Sequence, residues 1–284
     1  MKIELSELAN VKGIGQKTLQ RIREYKLADE GYVSKYDPDL RLDINSVNKG
    51  DCLELMNGIK DKSVDMILAD LPYGTTACKW DSIIDLDKLW LQYERIIKDN
   101  GAIVLTASQP FTSKLIMSNP EFFKCEWIWD KKAVSNPQLA KMHPLKCHEE
   151  ILVFGENKTK YNPQGLKMFK GKTHQGKESE LGHIVRDLDN YEQKKTNYPK
   201  TIQYFKQERG QHPTQKPVKL FEYLIKTYTN KGDLVLDNVA GSGTTGVACQ
   251  NTNRDYILIE QEEKYIDIIK ERLEKGGETF ATME

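Results

Sequence analysis

The run Ala69-Asp-Leu-Pro-Tyr-Gly74 follows the apolar stretch VDMIL and brings a carboxylate, a proline and an aromatic ring within four residues. Asp70, Leu71, Pro72 and Tyr73 suit a pocket that grips a flat ring carrying an amino group. The plainer reading is a strand end followed by a turn, since Pro and Gly both end strands.

A second run, LVLDNVAGSGTTG, ends a strand at Asp237 and continues into a glycine-rich loop. Gly241, Gly243 and Gly246 satisfy G-x-G-x-x-G, a weak sign of a dinucleotide site when it stands alone. In that fingerprint the glycines sit hard against the strand and bring a pyrophosphate to a helix N-terminus. Here Gly241 lies four residues past Asp237, whose carboxylate repels a pyrophosphate but suits a cationic amino-acid moiety. The following strand, YILIE, ends in Glu260, placed to accept hydrogen bonds from two ribose hydroxyls. Loop, carboxylate and second acid fit S-adenosylmethionine better than NAD. Between the two runs lies HPTQKP, with Thr214, Gln215 and Lys216 held between prolines, and Lys216 suited to neutralise a carboxylate. Helix entry at Pro217 is the plainer account of that stretch. Asp51, in NKGDCLEL, is a candidate partner for the cofactor's adenine amine or a helix N-cap. His148 and Glu149, ahead of ILVF, read as structural.

Positioning these residues requires strands that end together. Apolar runs at Met66–Ala69, Ile103–Leu105, Leu234–Leu236 and Tyr256–Ile259 read as strands, and CEWIWD with EEILVF as a closing pair. IDLDKLWLQYERIIKDNG and PVKLFEYLIKTYT carry apolar residues at helical spacing between them. Such alternation predicts an α/β fold with a parallel sheet covered on both faces.

Residues 8–24, LANVKGIGQKTLQRIRE, read as a separate small unit of two short helical pieces around Gly13-Ile14-Gly15. The segment resembles a single helix-hairpin-helix motif. Its glycines would let backbone amides approach a DNA phosphate, with Lys12, Lys17 and Arg21 adding charge. A hairpin that merely packs on its neighbour is the alternative, and 27–44 reads as a linker. Residues 157–206 hold 11 Lys/Arg and 5 Asp/Glu with interleaved aromatics. Lys170 and Lys172 belong to this insertion, which reads as the electrostatic footprint of a nucleic acid. A solvated insertion is the alternative there.

The bulk numbers bound the answer. The 284 residues carry 42 Lys/Arg and 42 Asp/Glu, so net charge argues for no partner, and any basic surface is local. Five cysteines without a CxxC pair read as reduced thiols, neither a disulfide framework nor a zinc site, and no metal is expected. The opening MKIELSELANVKG lacks the apolar centre of a signal peptide. No apolar run approaches the ~18 residues of a membrane span.

ADLPYG, HPTQKP and LDNVAGSGTTG, in that order, resemble the prokaryotic and phage DNA amino-methyltransferases of the permuted β group, over roughly residues 45–155 and 207–275. The resemblance implies a Rossmann-like S-adenosylmethionine-dependent methyltransferase fold. Its seven-stranded, mostly parallel sheet has an antiparallel strand near one edge and a circularly permuted motif order. It assigns 45–156 to a catalytic half, 157–206 to target recognition and 207–275 to a cofactor half, while the helix-hairpin-helix resemblance makes 1–27 the expected DNA-contacting segment. In the implied site, Asp70 and the Leu71 carbonyl accept the two N–H bonds of an everted base's amine. Pro72 holds the turn and Tyr73 stacks on the ring. Trp80 lines that pocket, fills the gap left by the base, or sits in the core. Asp51, Thr214, Gln215, Lys216, Asp237, Gly241, Ser242, Gly243, Thr244, Thr245 and Glu260 surround S-adenosylmethionine. Two positions depart from the family: Leu71 replaces the first proline of Asp-Pro-Pro-Tyr, and Asp237-Asn238-Val239 replaces Asp-Pro-Phe.

Cytosine C5 chemistry needs a nucleophilic cysteine, usually after proline, and no Pro-Cys pair occurs. Cytosine-N4 members of the family more often carry Ser at the Asp70 position, which favours adenine N6. The rivals are cytosine-N4 methylation in the same site, a nucleotide-binding oxidoreductase built on GSGTTG, and a non-catalytic DNA-binding module. The implied partner is double-stranded DNA. A homodimer and a cognate restriction endonuclease fit the family, and the expected location is the cytoplasm of a bacterial cell or phage-infected host, with no membrane association.

Overall fold

All six residues of β2 (Val64–Ala69, VDMILA) are buried. A strand buried on both faces needs neighbours on both edges. In the computed structural model, β9 (Leu234–Asp237) and β3 (Ile97–Ala107) flank it, both parallel. The structure describes residues 15–74, 82–134, 137–170, 194–208 and 215–275.

The sheet continues outward from this centre. β10 (Asp255–Glu260) lies parallel beside β9, and β1 (Ser46–Lys49) lies parallel beside β10. On the other side β5 (His148–Phe154) runs antiparallel between β3 and β4 (Phe123–Asp130). Among the described residues the expected mostly parallel methyltransferase sheet is present, with eight strands where seven were expected. The additional one is β8 (Ile202–Tyr204), parallel to β4. Trp129 on β4 fixes that edge by donating its indole N–H to the Phe205 carbonyl at 2.8 Å.

Alternation along β2 divides the core. Ile67 and Ala69 face one layer, and Met66 and Leu68 face the other. The first layer is closed by α3 (Leu86–Ile96), which buries Leu89, Trp90, Tyr93 and Ile96 and is capped by the Asp85 carboxylate on the Lys88 N–H. The second is closed by α5 (Val218–Tyr228) and α6 (Thr244–Thr252), through Leu220, Phe221, Leu224 and Val247. The chain leaves β2 for one face and β9 for the other, so the connections diverge between these two neighbours. Such a divergence opens a crevice at the carboxyl ends of the strands.

The described part of the amino-terminal segment does not stand apart. Helix α1 (Gln16–Asp29) buries Leu27 and Arg23, and the Arg23 guanidinium pairs with Glu94 of α3 at 2.9 Å. Arg23 also donates to the Ser118 carbonyl, and Asn119 supports Glu94. The separate unit expected over 8–24 is therefore corrected for its described residues 15–24: a buried charge pair joins them to the body. The expected linker is pinned as well, since Gln92 and Tyr32 bond one another and the Asp37 N–H donates to the Asn57 carbonyl.

A second compact unit spans 163–200 and carries the antiparallel strands β6 (Lys167–Met168) and β7 (Lys195–Thr196). It is narrower than the insertion read from composition. Lys160 belongs to the main unit, where its ammonium meets Asp65 at 2.7 Å and Asp233 at 2.6 Å, and β8 belongs to the sheet.

Candidate active site

Four parallel neighbours, β1, β10, β9 and β2, end on the same side of the sheet, each followed or terminated by a carboxylate: Asp51, Glu260, Asp237 and Asp70. Antiparallel β5 begins there, which brings Glu149 to the same side opposite Trp129. A cavity of about 510 Å³ opens at this edge, within the range typical of small-molecule sites.

Asp70 anchors one end. Its Oδ1 accepts the Tyr73 hydroxyl at 2.7 Å and a short bond from the Thr106 hydroxyl, while Oδ2 meets the Lys216 ammonium at 2.5 Å. The Tyr73 ring is backed by Phe111, with centroids 5.5 Å apart and planes 26° from parallel. Lys216 is buried, and its Nζ also stands 3.4 Å from Glu149 Oε2. Burial lowers the Lys216 pKa, but the charges of Asp70 and Glu149 outweigh it and the net direction is up. Burial acts in the opposite sense on Glu149, and Lys216 and Lys131 together hold that carboxyl below its ordinary value. Burial, Asp70 and Glu149 all push the Tyr73 phenol up, so it remains a hydrogen-bond donor.

The other end is built by the glycine-rich loop. Glu260 accepts the Gly241 N–H on Oε2 at 2.7 Å and the Glu262 N–H on Oε1 at 2.9 Å. Gly241 and Gly243 take φ of 53° and 79°, the left-handed region that favours glycine. Ser242 donates to the Gln215 side chain at 3.2 Å, and Thr244 to the Lys216 carbonyl at 3.4 Å, which ties the loop to the start of α5. Asp51 caps α2 (Cys52–Leu55), accepting the N–H groups of Leu53 at 2.7 Å and Glu54 at 3.3 Å. The N-cap reading of that residue holds, and Asp51 lines the cavity as well.

Asp51, Asp70, Leu71, Pro72, Tyr73, Gln215, Lys216, Gly241, Ser242, Thr244 and Glu260 all line this one cavity. Asp237, Gly243 and Thr245 do not; they shape its wall from behind. Asp237 is fully enclosed, accepts the Val239 N–H at 3.1 Å and a short bond from the Thr245 hydroxyl, and is pushed up to about 7 chiefly by burial. Gly15, Lys17 and Arg21 lie exposed at the start of α1, and Lys170 is exposed in the second unit. Lys12, Gly13, Trp80, Lys172 and Thr214 fall outside the described residues.

Sequence reasoning passed over three residues. Thr106 and Phe111 flank Asp70 and Tyr73 from β3 and from α4 (Phe111–Ser118), which carry no local sign of the site. Glu149 read as structural, because only the direction of β5 brings it to the cavity. His148 beside it is half exposed and lies 3.4 Å from Glu150.

The donor set suits S-adenosylmethionine. Asp51 and Glu260 offer acceptors, while Leu71, Val239 and Tyr265 offer apolar wall. Among the described residues three buried side-chain atoms lack a hydrogen-bond partner, and two of them, Asn238 Nδ2 and Glu149 Oε2, belong to cavity-lining residues. Asn238 accepts the Tyr93 hydroxyl on its Oδ1 at 2.6 Å.

Comparison with known proteins agrees with this donor set. A family described as DNA methylase, the N6/N4 methyltransferases, matches residues 64–271. The type II methyltransferase M2.MboI of Moraxella bovis is 27% identical over 258 residues, covering 80% of this chain and 86% of its own. The DNA adenine methyltransferase YhdJ of Escherichia coli K12 is 28% identical over 246 residues, covering 79% and 81%. The crystal structure of the M1.HpyAVI–S-adenosylmethionine complex superposes with a TM-score of 0.56 at 26% identity, covering 80% of this chain and 98% of that one. With more than two thirds of its length inside the family match, the chain belongs to the DNA methylase family and is an S-adenosylmethionine-dependent DNA amino-methyltransferase.

Proposed function

We propose that the protein is a site-specific adenine-N6 methyltransferase that extrudes its target base from duplex DNA. The observation that carries this reading is that Asp70 and the loop from Asn238 to Ser242 line a single cavity, so an amine held at one end faces a cofactor held at the other. The bound cofactor supplies an electrophilic methyl group on a sulfonium sulfur. An exocyclic amine is a poor nucleophile because its lone pair is delocalised into the ring. Asp70 and the Leu71 carbonyl accept its two N–H bonds, which favours a pyramidal nitrogen with its lone pair directed along the cavity. Tyr73, backed by Phe111, stacks on the ring, and Pro72 stiffens the turn. Positioning of this kind supplies much of the acceleration, about 7–11 kcal/mol where orientation is good. Because the proton leaves after the methyl arrives, Asp70 need not be a strong base.

At the cofactor end Asp51 and Glu260 act as acceptors and Asn238 as a donor, while Asp237, Gly243 and Thr245 hold the loop in shape. Extrusion of a paired base costs roughly a few kcal/mol. Phosphate contacts offset this in our reading, from Gly15, Lys17 and Arg21 in and before α1 and from Lys170 in the target-recognition insertion 157–206. Adenine is favoured because position 70 holds Asp rather than Ser, and because the relative YhdJ is by name an adenine methyltransferase. Digesting DNA from cells expressing the protein and identifying the methylated nucleoside by mass tests the choice. N6-methyladenine supports it, whereas N4-methylcytosine keeps the site and overturns the base.

A further inference from the structure

Asp70 is crowded before any substrate arrives. Two hydroxyls donate to Oδ1, and the Lys216 ammonium meets Oδ2 at 2.5 Å. A carboxylate offers about four lone-pair sites, so these three donors leave an incoming amine one, on the oxygen that Lys216 already holds. Charge makes the competition sharper. The amine nitrogen becomes positive as the methyl bond forms, and an ammonium on the same carboxylate oxygen opposes that change.

Lys216 cannot resolve the conflict by turning to water, since only 6% of its surface is exposed. It needs a second buried acceptor, and Glu149 supplies one. Glu149 Oε2 is buried, makes no hydrogen bond, and stands 3.4 Å from Lys216 Nζ. The other oxygen is held by Lys131 at 2.9 Å, and that ammonium lies over the Trp129 ring. Glu149 is thus fixed in place with one oxygen left open beside Lys216.

We infer that Glu149 is a positioning residue that takes Lys216 from Asp70 when the target amine enters, freeing the Asp70 oxygen for the amine. The inference rests on the reading of Asp70 given above. The exchange moves a cation between two carboxylates and leaves the total charge of Asp70, Glu149, Lys131 and Lys216 unchanged. No bond other than hydrogen bonds is made or broken. Lys216 acts as a placeholder that keeps Asp70 oriented until the amine replaces it.

The test compares the wild type with Glu149→Gln on two duplexes: one that the wild type methylates, and the same duplex with the target adenine replaced by purine, which lacks the amine. The expected result is a single-turnover methylation rate at least tenfold lower in Glu149→Gln. Affinity should fall for the adenine duplex, stay within twofold of wild type for the purine duplex, and stay unchanged for S-adenosylmethionine. An unchanged rate overturns the inference, and so does an equal loss of affinity on both duplexes, which is what a merely structural Glu149 produces. Should Glu149→Gln fail to fold, Glu149→Asp keeps the charge on a shorter arm. An intermediate rate with the same adenine-selective loss is then expected, and wild-type behaviour overturns the inference. Asp70→Ala run in parallel separates the two readings. If it is inactive while Glu149→Gln is normal, only the exchange falls; if it methylates at the wild-type rate, the assignment of Asp70 falls too.

Discussion

Replacing Asp237 by Asn should flatten the pH dependence of stability without disturbing the cofactor. The Asp237 carboxyl is fully enclosed and is pushed up from 3.8 to about 7, chiefly by burial, with the Thr245 hydroxyl and the Val239 N–H pulling the other way. A raised carboxyl pKa means the folded state holds the proton more tightly than the unfolded chain. The contribution of this group is therefore complete below pH 3.8 and is lost as pH climbs through about 7. At about 1.36 kcal/mol per pH unit, the wild type loses on the order of 3 kcal/mol through this one group between about pH 5 and pH 8. In a chain of this size that corresponds to roughly 6–12 °C in Tm. Asn keeps both local bonds: its Oδ1 accepts the Val239 N–H, and its amide donates to the Thr245 oxygen. The assay is Tm against pH for the two proteins without cofactor. The difference between the curves should grow with pH in favour of Asp237→Asn, by about the amount above. Parallel curves would refute the buried, proton-binding carboxyl. Because Asp237 faces the loop and not the cavity, S-adenosylmethionine affinity should stay within about threefold by titration calorimetry. A loss of the size expected from removing a charged hydrogen-bond partner, about 1.5–3 kcal/mol, would place the side chain against the ligand instead.

Three further outcomes follow from the same geometry. Gly243→Ala forces a side chain into φ 79° with its Cβ 3.0 Å from Ile269; it should cost about 1–2 kcal/mol by chemical denaturation and weaken cofactor binding, and unchanged values of both would contradict the role given to this turn. Arg23→Met leaves Glu94 buried without its cation, a loss of about 3–5 kcal/mol, and hydrogen exchange should accelerate across α1 while β2 and β3 stay protected. Uniform protection across α1 would show that the pair does not hold it. Glu260→Gln turns an amide donor toward either the Gly241 or the Glu262 N–H, costing about 1–3 kcal/mol; S-adenosylmethionine affinity should drop about tenfold or more, and an unchanged Kd would contradict the assignment.

Strands β2, β9 and β10 were legible because strands buried on both faces are written in almost continuous apolar residues, and α3 and α5 because their buried faces keep helical spacing. β1 and β8 were not. SVNK is only half buried at a sheet edge, and IQY is three residues held by β4 and by Trp129, none of which leaves a local pattern. The site divides along the same line. Asp70 and Glu260 each end a strand and line the cavity, and Asp237 ends one in the same way, yet its side chain turns into the wall. Strand position alone does not separate these cases, because the orientation depends on the loop that follows. Glu149 was hidden for a topological reason: it opens a strand rather than closing one, and it reaches the carboxyl edge only because β5 runs against its neighbours. The Arg23–Glu94 pair, 71 residues apart in the chain, likewise seats the helix Gln16–Asp29 on the body, a contact that no local pattern announces.

The most direct test of the central claim is a single-turnover transfer from labelled S-adenosylmethionine to a duplex that the wild type methylates, run with Asp70→Ala. The account predicts label on the adenine amine with wild-type protein. For the variant it predicts a loss of at least about a thousandfold in rate, while binding of cofactor and duplex stays near wild type. Transfer by Asp70→Ala at a rate near wild type would contradict it.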